Sequence, residues 1–333
     1  MQGPLVEIKD LSLNFKVFGG LLKVLDGVNF TVGLKENVGL IGETGCGKTT
    51  TMKAIMRILG MTSARISKGE ILFNGRDILK MNKAEIQEIR RKRISMIFQD
   101  PTAALNPVFT IGSQIKNVIK YSAGMEKNLT KMEIKAREIE ALRDVMLPDP
   151  ERILESYPIQ LSGGMRQRVC IAIALLSNLD LLIADEPGTS LDVTIQDQVL
   201  RLLKDLVKKK HISIILISHA LGMVKNMTQR TYVMYGGSMV EVAKTAELFT
   251  DPLHPYSQAL IAAVPKLIGG GISQGIPGYI PRYLNPPPGC RFHPRCSYVM
   301  PICKVEKPPF FKVKEIHQVA CWLFKKGRNQ VDK

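Results

Sequence analysis

The sequence lacks any long apolar run. No stretch of the 333 residues approaches the roughly 18 uninterrupted apolar residues that a membrane-spanning helix needs. Residues 1–10 also lack the apolar core of a signal peptide. We therefore expect a soluble, cytoplasmic chain, for which any membrane role depends on a partner. The hydrophobic content of 45% and the charged content of 23% are those of an ordinary globular protein.

Aromatic residues are few, at 6% of the chain, and this limits how the positive charge can be interpreted. The formal net charge is +16, with basic runs at residues 90–93 and 208–211. No aromatic residues interleave these runs, as they would on a surface that stacks single-stranded bases. We interpret the runs as solvated helix ends with some attraction to anionic lipid headgroups, and we expect no nucleic acid among the partners.

Residues 42–50, GETGCGKTT, match the glycine-rich pattern of a phosphate-binding P-loop. The apolar run at 38–41 predicts a buried strand before the loop, and apolar spacing over 50–59 predicts a helix after it. Backbone N–H groups at such a helix start bind phosphate; Lys48 is predicted to reach the β- and γ-phosphates, and the Thr49 hydroxyl to bind Mg²⁺. The predicted ATP-binding residues of the loop are Gly42, Glu43, Thr44, Gly45, Cys46, Gly47, Lys48, Thr49 and Thr50.

Two consecutive acids end a second apolar run, LLIADE at residues 181–186. Asp185 lies where P-loop proteins place the acid that holds the Mg²⁺ shell. Glu186, one position further, is the best candidate to polarise the attacking water. A pair of solvated acids at a strand end is the alternative, and the P-loop upstream argues against it. Hard oxygen ligands suit Mg²⁺, which keeps several of its waters, so Thr49, Asp185 and the phosphates suffice.

Alternating β and α patterns fill the sequence around these motifs. Near-continuous apolar runs at 181–186 and 212–218 favour parallel strands that are covered on both faces. Segment 195–208 has helical periodicity, and residues 101–154 are largely helical in pattern. This alternation predicts an α/β fold with a mixed or parallel sheet core. Further predicted elements are strands at 5–17, 28–32 and 94–98, an edge hairpin at 69–75, and helices at 83–93 and 131–146.

A rarer string, LSGGMRQR at residues 161–168, opens a basic and apolar helix. It resembles the signature of ABC-type ATPases, which binds the γ-phosphate of ATP held by a partner subunit. The resemblance implies that the backbone N–H groups of Gly163 and Gly164 and the Ser162 hydroxyl contact that phosphate. It also implies adenine stacking by Phe15, contact with Mg²⁺ or the lytic water by Gln99, an interface position for Asp192, and γ-phosphate contact by His219.

Three further strings, FQDPTAALNP at 98–107, DPLHPY at 251–256 and GCRFHPRC at 289–296, narrow the resemblance to the ATPases of oligopeptide and dipeptide importers. This resemblance covers nearly the whole chain. It implies a P-loop ABC ATPase domain with an inserted helical subdomain, followed by a small irregular extension that contains cysteines. The implied bounds are 1–265 for the domain, about 101–178 for the subdomain and 266–333 for the extension.

The same resemblance implies cofactors and partners. The cofactors are ATP and Mg²⁺, and the location is the cytoplasmic face of the membrane. The partners are a homologous ATPase subunit in a heterodimer, two transmembrane permease subunits and, indirectly, an extracytoplasmic substrate-binding protein. Peptide import is expected, with oligosaccharide or nickel import as alternatives. Gly188 and Ala220 depart from the family pattern, which usually has Thr and an acidic residue there, and they leave the turnover rate open.

Four cysteines, Cys290, Cys296, Cys303 and Cys321, lie in a region rich in proline. Disulfides are disfavoured in the cytoplasm, and zinc sites usually contain a tight cysteine pair that is missing here. Four thiolates at looser spacing could hold a [4Fe–4S] cluster, and some members of the importer branch carry one in this region. A cluster is expected, with zinc or no metal as alternatives. No ATP motif lies beyond His219, so we expect a structural rather than a redox role for this segment, with partner docking as an alternative.

A soluble ABC ATPase of DNA repair or chromosome maintenance is the alternative from a different class. Such proteins generally carry long coiled-coil or zinc-bearing insertions, and the segment from Lys48 to Asp185 is too short for one. A kinase or GTPase does not explain the Ser162-Gly163-Gly164 string. The sequence therefore favours a transport ATPase.

Overall fold

The computed structural model describes residues 3–60, 63–123, 129–189, 191–263 and 275–325. The chain divides into two compact units. Unit 1 comprises Met1–Gly33, Asn37–Lys80 and Ser218–Lys333, and unit 2 comprises Leu34–Glu36 and Met81–Ile217. Within the described ranges, no helix is long and apolar enough to cross a membrane.

The N-terminal part of unit 1 contains an antiparallel sheet and the strand and helix that flank the P-loop. Its elements are β1 (Val6–Val17), β2 (Gly20–Val32), β3 (Asn37–Ile41), α1 (Lys48–Ile55), β4 (Ala64–Phe73) and β5 (Arg76–Asp77). The sheet has the order β2-β1-β4-β5. The alternation that predicted the first strand matches its burial, since Val6, Ile8, Leu11 and Leu13 are buried. The predicted edge hairpin is confirmed as β4 and β5.

Unit 2 is mainly helical. Its elements are α2 (Lys83–Lys92), β6 (Ile94–Ile97), α3 (Pro101–Ala104), α4 (Ile111–Ala123), α5 (Lys131–Asp144), α6 (Pro150–Glu155), α7 (Gly163–Ala174), β7 (Leu181–Asp185), α8 (Val193–Lys210) and β8 (Ser213–Ile217). Capping boxes begin two of these helices, Asn82 with Glu85 for α2 and Thr130 with Glu133 for α5. Helices α3 to α7 lie within the range of about 101–178 that the sequence analysis assigns to a helical subdomain, and the subdomain itself stays a prediction.

Three parallel strands in the order β8-β7-β6 form the sheet of unit 2. Every residue of β7 and β8 is buried, as expected for parallel strands covered on both faces. Helix α8 buries one stripe that includes Leu203 and Val207 and leaves its last turn, with three lysines, exposed. Lysines at a helix C-terminus interact favourably with the helix dipole.

The C-terminal part of unit 1 completes a second sheet. Its elements are α9 (Leu221–Met227), β9 (Arg230–Tyr235), β10 (Ser238–Lys244), α10 (Thr245–Thr250), α11 (Pro255–Ala262), β11 (Phe311–Lys312) and β12 (Gln318–Val319). Strand β3 pairs in parallel with β9, β9 pairs with β10, and β10 pairs with β12. Described residues 275–325, which we name the C-terminal extension, thus belong to the unit that contains the P-loop.

One predicted element has different bounds in the structure, and one predicted boundary falls on residues that the structure does not describe. The helix predicted at 50–59 spans Lys48–Ile55 instead. It ends early because Arg57 adopts a left-handed conformation, with φ of 48°, and donates to the Ile78 carbonyl at 3.0 Å. The predicted domain boundary between 265 and 266 lies outside the described residues and stays a prediction.

Candidate functional site

The P-loop connects buried strand β3 to helix α1, in the order that the sequence predicts. Gly42, Gly45 and Gly47 have φ values of 150°, 83° and 108°, in a region that residues with a side chain rarely adopt. A Cβ atom on Gly42 would also clash with the carbonyl oxygen of Met234. These glycines are therefore required by the backbone path of the loop.

Lys48 lies buried beneath the loop, with 5% of its surface exposed. Its Nζ donates to the carbonyl oxygens of Gly42 at 2.7 Å and Glu43 at 3.0 Å, and lies 3.8 Å from the Cys46 sulfur. Burial raises the pKa of the Cys46 thiol, with the neighbouring Lys48 acting in the opposite direction. The ammonium group is thus held at the loop, where it can meet a phosphate.

His219 lies beside the P-loop. It follows strand β8, and its Nε2 is 3.3 Å from the hydroxyl of Thr44. The structure thus brings together two predicted site residues that are 175 positions apart. Thr44 is exposed, whereas Thr49 and Thr50, in the first turn of α1, are half-buried.

Asp185 is the last residue of strand β7, Glu186 follows it directly, and both are buried. Glu186 has a φ of 50°, in the left-handed region. Its Oε2 accepts hydrogen bonds from Gln99 Nε2 at 2.9 Å and from the Thr189 hydroxyl at 3.2 Å. A residue other than glycine in this conformation is strained, and such strain concentrates at functional sites. The contact with Gln99 groups two predicted catalytic residues.

The signature string begins helix α7. Ser162 is its N-cap and accepts a hydrogen bond from the N–H of Met165 at 3.3 Å, while the residue itself remains exposed. A Cβ atom on Gly164 would lie 2.7 Å from Cγ2 of Ile195, and one on Gly163 would lie 3.2 Å from Cδ2 of Leu191. The second glycine therefore permits close packing against helix α8, a role that the phosphate-binding interpretation did not include.

Two other predicted residues have clear local positions. Asp192 is the N-cap of α8, and its Oδ1 accepts from the N–H of Ile195 at 2.9 Å. Phe15 lies half-buried on β1, paired in register with Leu22 and Ala64. Neither contact tests the predicted interface or adenine role, so both roles stay predictions.

The four C-terminal cysteines line one pocket in unit 1, together with His254 and His293. Burial raises the pKa of Cys290 to about 11 and that of Cys321 to about 12, and it also raises the pKa of Cys296. In the part of the chain that the structure describes, no group of three or more Cys, His, Asp or Glu side chains is arranged to hold a metal ion. The cysteines are gathered, but they do not form a preassembled ligand set.

Sequence reasoning missed three residues that contact the P-loop. Arg295 pairs with the carboxylate of Glu43, the Tyr283 hydroxyl donates to the Gly45 carbonyl, and the Tyr256 hydroxyl accepts from the N–H of Glu43. Tyr256 and Arg295 lie within two of the strings that carried the resemblance to importer ATPases. Those strings were the available signal, but pattern alone does not show which part of the protein they contact.

The strand, glycine-rich loop and helix that hold Lys48 define a P-loop nucleotide-binding protein. Residues 25–189 match the ABC transporter family, and residues 240–303 match the C-terminal region of oligopeptide/dipeptide transporters. The chain belongs to the ATP-binding subunits of ABC transporters, which are ATPases.

Individual relatives agree with this assignment. The chain is 45% identical to the oligopeptide transport ATP-binding protein OppD of Bacillus subtilis (strain 168), over 96% of this chain and 88% of that protein. It is 41% identical to a probable peptide ABC transporter ATP-binding protein, y4tR, of Sinorhizobium fredii, over 96% of this chain and 94% of that protein. The ADP- and phosphate-bound dimeric cassette MJ0796 has a similar fold, with a TM-score of 0.64 at 24% identity over 72% of this chain and 98% of that one.

Proposed function

We propose that this chain is the subunit that powers peptide import through an ABC transporter by hydrolysing ATP. The observation that carries the proposal is the 45% identity to a named oligopeptide transport ATP-binding protein over 96% of the chain, together with the match of residues 240–303 to the oligopeptide transporter C-terminal region. Oligosaccharide and nickel import remain alternative uses of the same ATPase.

The residue roles follow the chemistry of the groups. The N–H groups of the P-loop and the Lys48 ammonium bind the phosphates, and Phe15 stacks on the adenine. The Thr49 hydroxyl, the Asp185 carboxylate and the Gln99 side chain supply oxygen ligands that suit Mg²⁺. When bound, Mg²⁺ neutralises charge that develops on the phosphates. Glu186 takes a proton from the attacking water, held for this task by Gln99, and His219 contacts the γ-phosphate.

The signature residues act on ATP that a homologous partner subunit holds. The exposed N-terminus of α7, with Ser162, Gly163 and Gly164, offers N–H groups and a helix dipole to a γ-phosphate. We propose that Asp192 lies at the same subunit interface and that the partner is a related but different chain.

Mixing variants tests this arrangement. Ser162→Arg is expected to bind ATP normally as an isolated chain and to block closure onto the partner. A mixture of Ser162→Arg with a partner subunit whose own P-loop lysine is replaced by alanine is expected to retain activity, because the composite site formed by this chain's P-loop and the partner's signature stays intact. Lys48→Ala mixed with the same partner variant is expected to be inactive. Loss of ATP binding by isolated Ser162→Arg would contradict the arrangement.

The remaining partners are two transmembrane permease subunits and, indirectly, a substrate-binding protein outside the cytoplasm. The chain would lie peripherally at the cytoplasmic face of the membrane, with no nucleic acid among its partners. Uptake of labelled peptides by cells that carry Lys48→Ala in place of the wild-type chain tests the cargo. Uptake is expected to stop, whereas continued peptide uptake with loss of oligosaccharide or nickel uptake would favour an alternative cargo.

We further propose that Cys290, Cys296, Cys303 and Cys321 bind a [4Fe–4S] cluster, because four thiols line one pocket. Such a cluster would cross-link a segment that contains only short helices and two-residue strands. Metal analysis of protein purified without oxygen tests this. About four irons per chain is the expected result. Stoichiometric zinc would favour a zinc site, and neither metal would leave four reduced thiols.

A further inference from the structure

We propose that the C-terminal extension positions and charge-balances the P-loop, so that Arg295 and Tyr283 set the affinity for ATP. This inference rests on the proposed function only in requiring that the P-loop binds ATP. The ATP motifs end at His219, and they gave no indication that a later segment contributes to this site.

The first contact is an ion pair with two hydrogen bonds. Arg295 Nη1 lies 2.8 Å from Glu43 Oε2, and Nη2 lies 3.1 Å from Glu43 Oε1. Only 4% of the Arg295 side chain and 26% of the Glu43 side chain are exposed. Parallel bonds of this kind fix both the position and the orientation of the carboxylate.

Arg295 is itself held in place by the extension. Its Nε donates to the Pro277 carbonyl at 2.8 Å, and Nη2 donates to the Ile276 carbonyl at 3.0 Å. Its guanidinium also lies over the ring of Tyr235, 5.7 Å from the centroid. The guanidinium is thus preorganised, and the Glu43 carboxylate is the charged group that it neutralises.

The second set of contacts holds the loop backbone. The Tyr283 hydroxyl donates to the Gly45 carbonyl at 2.7 Å. From helix α11, outside the extension, the Tyr256 hydroxyl accepts a hydrogen bond from the N–H of Glu43 at 2.8 Å. Burial raises the pKa of both tyrosines, so both hydroxyls keep their protons. These bonds restrain a loop whose N–H groups must face the phosphates, and restraint before binding lowers the entropy lost on binding.

Charge gives the sharper consequence. Glu43 places a carboxylate in a loop that must accept a polyanion, and repulsion between like charges would weaken binding. Pairing with Arg295 cancels that charge. Loss of Arg295 should therefore weaken ATP binding, whereas loss of the Glu43 charge should strengthen it because the Arg295 charge then faces the phosphates. If the ion pair were purely structural, removing either partner would weaken ATP binding.

The test measures the dissociation constant for a fluorescent ATP analogue with the purified full-length chain. Arg295→Gln is expected to weaken binding about tenfold, and Glu43→Gln to tighten it by about threefold. The variant that combines Arg295→Gln with Glu43→Gln is expected to bind the ATP analogue with an affinity between those of the two single variants. Arg295→Lys keeps the charge and is expected to bind more tightly than Arg295→Gln. Tyr283→Phe, which removes only the hydroxyl, is expected to weaken binding by about threefold.

Lys307→Gln is the matched control. Lys307 is a cation of the same extension that pairs with Asp26, at 2.9 Å, and not with the P-loop, so its variant should bind as wild type does. Wild-type binding by Arg295→Gln, or a double variant as weak as Arg295→Gln, would overturn the inference. If Arg295→Gln does not fold, weaker binding by Glu43→Gln alone would overturn it. Absence of ATP binding by the wild-type chain would instead contradict the proposed function.

Discussion

Gly164 gives the most direct test of how the signature helix is packed. A Cβ atom at this position would lie 2.7 Å from Cγ2 of Ile195, about 1 Å inside the normal contact distance between carbon atoms. Overpacking of this kind costs about 1–3 kcal/mol, and the gain in helix propensity from Gly to Ala offsets at most about 1 kcal/mol. We therefore expect Gly164→Ala to lower the free energy of unfolding by up to about 2 kcal/mol.

Gly163→Ala is the matched control one residue earlier. Its Cβ atom would lie 3.2 Å from Cδ2 of Leu191, at the flexible end of a side chain, so a change within about 0.5 kcal/mol is expected. Denaturant unfolding of both variants, and of Gly164→Ala combined with Ile195→Ala, isolates the contribution of the contact between residue 164 and Ile195 to stability. The double variant should lose less stability than the sum of the single variants. Equal stability of Gly164→Ala and Gly163→Ala would refute the packing argument.

Three further predictions concern unit 1. Burial lowers the pKa of His254 to about 4, so the free energy of unfolding should fall by up to about 3 kcal/mol as pH drops from about 6.5 to about 4. The loss should be much smaller in His254→Asn. The same pH profile of stability in the variant and the wild type would contradict this prediction. Ala220 begins helix α9 without a side-chain cap, so Ala220→Asp should raise the free energy of unfolding by about 1 kcal/mol, whereas Ala220→Leu should not. Buried Glu241 accepts hydrogen bonds from the N–H groups of Leu253 and His254 and contacts His317. Glu241→Leu should therefore lower the free energy of unfolding by about 3–5 kcal/mol, and Glu241→Gln should lower it less. Equal losses of stability in the two variants would contradict this prediction.

Local pattern was sufficient to predict much of the fold. The apolar runs at 181–186 and 212–218 are the buried parallel strands β7 and β8, because strands covered on both faces need apolar residues at every position. The strand, loop and helix around Lys48 were likewise predictable, since the glycine spacing follows from backbone conformations that only glycine adopts easily.

Contacts between distant segments were not predictable in the same way. Arg295 and Glu43 are 252 positions apart, and neither residue type nor spacing indicates that they meet. The packing of Gly164 against Ile195 depends on how two helices approach each other, which no single helix pattern specifies. The end of α1 at Ile55 similarly depends on Arg57, whose left-handed conformation is accompanied by a bond to a carbonyl 21 residues away. In each case, tertiary structure determines the local feature.

The Glu186→Gln variant tests the proposal that Glu186 activates water for ATP hydrolysis. The amide keeps the size of the side chain but cannot accept the proton. The variant should bind ATP with wild-type affinity and hydrolyse it at least about 100-fold more slowly. Glu155→Gln, a change on helix α6, is the control and should hydrolyse ATP at the wild-type rate. Phosphate release by Glu186→Gln at the wild-type rate would contradict the assignment.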